Sequence, residues 1–211
     1  MKIISIQTGL PQTLRYGARD VTTGIFKSPA VTPIMVRTLN LEGDGQADLC
    51  VHGGADKAIY AYSLDAYPDW QNLRPNEKFE NGAFGENLCI DEIAENQIYV
   101  GDTFEVGQAI LQAAQPRFPC YKLGVKFNDI KVVKQFMEMN RPGVYFRVIK
   151  EGMIDIGDEL KLVSQEKVLV SILELFELHD ERFPDPERVR EILKVKSLSQ
   201  NWKEMLKEFK A

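Results

Sequence analysis

Short runs of β-forming residues separated by glycine turns dominate the chain from residue 1 to about 166. Residues 3–7 and 34–41 alternate or run continuously apolar, and 86–91 is a shorter run. Residues 97–100, 103–106 and 109–114 are punctuated by Gly101-Asp102 and Gly107-Gln108, and 144–150 and 159–164 complete the series. So many short strands predict a mainly β (α+β) fold built on a closed or nearly closed barrel, with its strand order left open. Three helices interrupt it. Ser63 is placed to cap a helix over 64–73, Pro119 suits the first turn of a segment running to about 127, and Asp129 caps 130–139.

The period then changes. Residues 168–178 are apolar at helical spacing, Asp185-Pro186 opens a second helix to about 193, and Ser199 caps a third that carries Trp202, Met205, Leu206 and Phe209. The pattern divides the chain near Gln165-Glu166-Lys167 into a β domain over 1–166 and a small three-helix domain over 167–211. No repeat of 20 to 50 residues is present.

Composition narrows the class. The 211 residues are 44% hydrophobic and 27% charged, with 26 basic against 31 acidic side chains. That suits an ordinary folded domain with a small appendage and offers no basic tail to grip nucleic acid. The N-terminal apolar run is too short for a signal peptide, and no uncharged stretch approaches the ~20 residues a membrane span needs, so a cytoplasmic protein is expected. Three cysteines, Cys50, Cys89 and Cys120, are an odd number at wide spacing, which points to thiols in a reducing compartment.

Arg117-Phe118-Pro119-Cys120 is the sharpest local feature. It sets a thiol in the first turn of a helix, three residues after a guanidinium, and both surroundings favour the thiolate that attacks or binds metal. A small buried hydrophobe after a turn is the competing reading. Cys50-Val51-His52 could offer sulfur and nitrogen to zinc, but there is no Cys-x-x-Cys and the chain has only two histidines. Cys89 falls in the apolar run Leu88-Cys89-Ile90 and reads as core, and His179 reads as a capping or solvated side chain. Lys27, Lys57, Arg117 and Arg147 lie near turns or apolar strands within a net acidic region, and a convergent set of them would suit a phosphate-bearing ligand. Neither a serine nucleophile elbow nor a paired-carboxylate arrangement is found.

The ordered set Thr23-Gly24-Ile25-Phe26-Lys27-Ser28-Pro29, Gly43-Asp44-Gly45-Gln46-Ala47-Asp48, Val51-His52-Gly53-Gly54, Asp56-Lys57-Ala58, Gly85-Glu86-Asn87-Leu88, Gly101-Asp102 and Arg117-Phe118-Pro119-Cys120 closely resembles the MOSC domain, in its YiiM-like branch. The resemblance covers nearly the whole chain, and Leu198-Ser199-Gln200-Asn201-Trp202 resembles the start of the last helix of that branch's three-helix domain. It implies a β-barrel that binds molybdenum cofactor, a pterin dithiolene carrying a phosphate, with Cys120 as a molybdenum ligand. It also implies that Lys27, His52, Lys57, Asn87 and Arg117 line the cofactor pocket, with Arg147 a looser member.

The implied activity is reduction of N-hydroxylated compounds, such as hydroxylaminopurines, amidoximes and hydroxylamines. Electrons would come from a separate reductase, because the chain has no flavin fingerprint and no iron–sulfur cysteine pattern. Proteins that supply the cofactor are further partners, whereas nucleic acid and membrane are not. Two alternatives use the same pocket: a sulfur carrier with a persulfide on Cys120, and a noncatalytic cofactor carrier. Docking the reductase, closing over the pocket and supporting a homodimer are roles open to the three helices.

Overall fold

The computed structural model describes residues 1–47, 53–180 and 184–208. Its strands are β1 (Ile3–Thr8), β2 (Gln12–Tyr16), β3 (Arg19–Thr23), β4 (Ser28–Pro29), β5 (Ile34–Val36), β6 (Ile59–Ser63), β7 (Leu88–Ile90), β8 (Thr103–Val106), β9 (Ala109–Pro116), β10 (Val144–Lys150), β11 (Gly152–Ile154) and β12 (Lys161–Ser164). The α-helices are α1 (Tyr67–Leu73), α2 (Tyr121–Phe127), α3 (Lys131–Met139), α4 (Ile172–Asp180), α5 (Pro186–Ile192) and α6 (Gln200–Glu208). Two short 3₁₀ turns, Ala55–Lys57 and Leu64–Ala66, precede β6 and α1.

Alternation decides which face of a strand is buried. Phe104 and Val106 of β8, Leu111 and Ala113 of β9, and Val144 and Phe146 of β10 point into one core with Ile3, Ile6, Leu88 and Ile90. These strands belong to a mixed sheet of eight in the order β12-β8-β9-β10-β6-β7-β1-β4, antiparallel except for the parallel β6–β7 pair. The ladder has two edges, β12 and β4, so the closed barrel expected from the sequence is not formed among the described residues. The segment before β12 is tied to the start of β1 by a single antiparallel bridge, Lys2 to Glu159, flanked by Ile3 N–H donating to the Asp158 carbonyl at 2.9 Å and Leu160 N–H to that of Met1 at 3.0 Å.

β6 is buried along its whole length because each face meets a different apolar layer. Ile59 and Ala61 join the main core, while Tyr60 and Tyr62 face an aromatic layer containing Trp70, Phe84, Leu123 and Phe136. The last three helices extend the main core, since Leu175, Val189, Ile192, Trp202 and Leu206 are continuous with the sheet residues.

Several local expectations change. Residues 97–100 form a turn with an isolated bridge from Tyr99 to Ser171 rather than a strand. Ser63 does not cap a helix with its side chain; its hydroxyl accepts from Ile93 N–H at 2.7 Å instead. Asp129 does accept from Lys131 N–H at 3.0 Å, and Asp185 accepts from Glu187 N–H at 2.9 Å at the start of α5.

Candidate active site

Four loops converge where β6, β9 and β10 lie side by side. Glycines let them approach: a side-chain carbon on Gly24 would lie 2.6 Å from the Gly45 carbonyl oxygen. Gly85 has φ +83° and would place such a carbon 2.8 Å from Ile25 Cγ1, so strand-end and loop backbones meet where no other residue fits.

Between these loops lies a cavity of about 120 Å³ lined by Lys27, Asp44, Lys57, Tyr60, Asn87, Arg117, Cys120, Lys122 and Tyr145 among others. Five of the residues expected from the sequence, Lys27, Lys57, Asn87, Arg117 and Cys120, are therefore brought together. Arg147 is not. Its guanidinium is held on β10 by Asp56 at 2.8 Å and by Gln112 at 2.9 Å, away from the cavity wall. His52 and Cys50 lie outside the described residues.

Asp44 organises the cavity floor, a role the sequence motif contained without revealing. Its carboxylate accepts from the Lys27 ammonium, from Gly9 N–H at 2.8 Å and from Asn87 Nδ2 at 2.8 Å. Asn87 in turn accepts from Tyr60 N–H at 3.1 Å and donates to the Gln7 carbonyl at 3.3 Å, tying β1 to β6. The side chains of Lys27 and Asp44 are only 6% and 4% exposed. Burial pulls the Lys27 pKa below the usual lysine range, with Asp44 resisting.

Arg117 is buried and donates to the Phe84 carbonyl. Its guanidinium lies 4.7 Å from the Tyr60 ring centre and 5.3 Å from that of Phe136, so aromatic faces replace much of its lost water. Burial opposes its charge, but Tyr60, Tyr145 and Cys120 hold its pKa above the ordinary arginine value.

Cys120 is half-buried and sits at the N-cap of α2 in extended conformation, one residue before the helix rather than within its first turn. Its carbonyl accepts from Leu123 N–H at 2.9 Å. Cys89 is wholly buried, and burial followed by the Glu86 carboxylate pushes its thiol pKa up, as befits a core residue. Lys126, one helical turn and a half beyond Cys120, was not foreseen. It donates to the carbonyls of Ile25 at 3.1 Å and Gly82 at 2.5 Å, clamping two cavity loops, and burial first, with Arg117 and Lys27 behind it, lowers its pKa to about 8.

The chemistry of this wall is that of an anion site beside a soft ligand. Lys27, Lys57, Arg117 and Lys122 face it, against the single carboxylate of Asp44 among the described lining residues. No group of three or more His, Cys, Asp or Glu side chains converges among the described residues. A soft thiol beside a cationic wall is a donor set that a metal carried by a pterin dithiolene with a phosphate fits.

These features coincide with a defined family. The chain belongs to the MOSC domain family, whose model matches residues 48–161. Its relatives place it among YiiM-like proteins: it is 35% identical to Protein YiiM of Escherichia coli over 202 residues, 94% of this chain and 88% of the relative. The crystal structure of YiiM from Geobacillus stearothermophilus superposes with a TM-score of 0.83 at 30% identity, covering 100% of this chain and 99% of that one. A protein of Gibberella moniliformis named Reductase is 31% identical over 157 residues, 73% of this chain but 28% of its own length. No helix among the described residues is long and apolar enough to cross a membrane.

Proposed function

We propose that the protein reduces N-hydroxylated compounds with molybdenum cofactor bound in this cavity and electrons delivered by a separate reductase. The observation that carries the reading is the position of Cys120, a thiol at the edge of a cavity lined by four cations. The relative named Reductase supports the redox class.

When bound, the cofactor supplies two-electron chemistry at a metal. Cys120 holds that metal through its thiolate, the soft sulfur donor of the wall. Lys57, Lys122 and Arg117 offer charge to the phosphate, and the Asp44 network holds Lys27 and Asn87 against the floor. In the overall reaction the substrate N–O bond breaks, two electrons and two protons enter, and the amine or imine leaves with water. The test is reconstitution of cofactor-loaded protein with a flavin-containing electron donor and benzamidoxime. Benzamidine formed only when both proteins are present supports the reading. A Cys120 persulfide on metal-free protein, with no reduction under any donor, favours the sulfur carrier.

A further inference from the structure

The cavity has a second lobe, of about 270 Å³, on the other side of Cys120. It shares Lys57, Phe118, Cys120 and Tyr145 with the cationic wall, but the rest of its lining is largely apolar. Phe118, Trp202 and Met205 supply apolar surface, His179 closes one end, and Gln115 lies at the base. The rings form a connected group: Phe118 and His179 centres are 4.2 Å apart, and Phe118 and Trp202 centres 6.1 Å. Two elements after residue 167 close one side of this lobe, the end of α4 with His179 and the first turns of α6 with Trp202 and Met205, and the strand-end segment 115–120 forms much of the rest. Trp202 is nearly buried, and the Ser199 hydroxyl at the start of α6 donates to Gln115 of β9 at 3.4 Å, which seats the helix on the sheet.

A thiol shared by two lobes divides the cavity by chemistry. The cationic lobe suits the anionic end of a cofactor, whereas the second lobe, the roomier of the two, shares Lys57 with it but has no other lysine, arginine or carboxylate in its lining and is mostly apolar. It suits one flat ring, because aromatic and thioether walls gain from ring faces and edges while an aliphatic chain gains only area. We infer that this lobe is the substrate side of the site, and that Phe118, His179, Trp202 and Met205 select ring-bearing N-hydroxylated compounds over small aliphatic ones. The inference rests on the reductase reading for its reaction and on the lobe alone for its selectivity.

The test compares benzamidoxime with acetamidoxime in wild type and Met205→Tyr, a change at a half-buried position that fills the lobe. Trp202 lines the lobe and Trp70 is wholly buried in the other aromatic layer, so indole emission reports ring binding to metal-free protein. Benzamidoxime should quench that emission saturably, acetamidoxime should not, and Met205→Tyr should weaken the binding about tenfold. In reconstituted protein, kcat/KM for benzamidoxime should fall about tenfold while that for acetamidoxime moves less than about twofold. Equal losses for both substrates, or quenching unchanged by the substitution, overturns the inference. Should Met205→Tyr fail to fold, His179→Ala, at an exposed helix end, removes one wall and is expected to shift the same ratio in the same direction. Ring-selective quenching that depends on Met205, in a protein that reduces neither compound, supports the lobe's selectivity and counts against the reductase reading alone.

Discussion

Replacing Asp44 by alanine removes the acceptor shared by Lys27, Gly9 N–H and Asn87. The Lys27 ammonium is then left buried with its side chain only 6% exposed, and two further donors lose their partner. Breaking a buried ion pair in this way costs about 3–5 kcal/mol, most of it the penalty for the stranded charge. Lys27→Met alone removes the charge but strands a carboxylate that keeps two other donors, so its cost should be smaller. In Asp44→Ala/Lys27→Met neither charge remains, and the double variant should lose at least about 2 kcal/mol less than the two single losses added together. Urea unfolding of the four proteins at neutral pH gives the cycle. The sign of the pH dependence follows from Lys27. Without Asp44 its folded-state pKa falls further below the unfolded value, so the Asp44→Ala deficit should narrow as pH rises toward the ordinary lysine value of about 10.4. A loss under about 1 kcal/mol for Asp44→Ala, or strict additivity in the double variant, would refute the role given to this pair.

Lys126 provides a second pH signature: with its folded pKa near 8, the unfolded chain keeps a proton that the folded chain has shed between about pH 8 and the ordinary lysine value. Wild-type stability should therefore rise relative to Lys126→Met by about 2–3 kcal/mol across that window, and a flat difference in paired unfolding curves would contradict it. In a Cys50→Ser background, iodoacetamide on native protein should label Cys120 and spare Cys89, whose buried thiol sits beside Glu86; peptide mass mapping that finds Cys89 labelled as fast would show the reverse.

Strands with one polar face were legible in the sequence through alternation. Thr103–Val106 and Val144–Lys150 match the structure because Thr103 and Glu105, and Tyr145 and Arg147, face away from the main core while Phe104, Val106, Val144 and Phe146 point into it and are apolar. β6 was missed for the opposite reason: Ile-Tyr-Ala-Tyr-Ser is buried on both faces, and alternation has nothing to contrast. β2 and β3 were missed because most of their residues are exposed and polar, their pairing being mutual. Within the site, Cys120 and Arg117 stood out by local spacing, whereas Asp44 and Lys126 act through partners 17 to 101 residues away. Arg147 looked like a cavity cation because it shares the face of β10 that carries Tyr145, but it lies one pleat further along the strand, where Asp56 and Gln112 hold it outside the cavity lining.

The central claim is that Cys120 holds a metal delivered with its own ligands, and it is tested most directly by molybdenum per chain in wild type and Cys120→Ala purified from a host that makes the cofactor. The account predicts near-stoichiometric molybdenum in wild type and its loss in the variant, with the variant's melting temperature unchanged within a few degrees. Equal molybdenum in both proteins, or none in either, would contradict it.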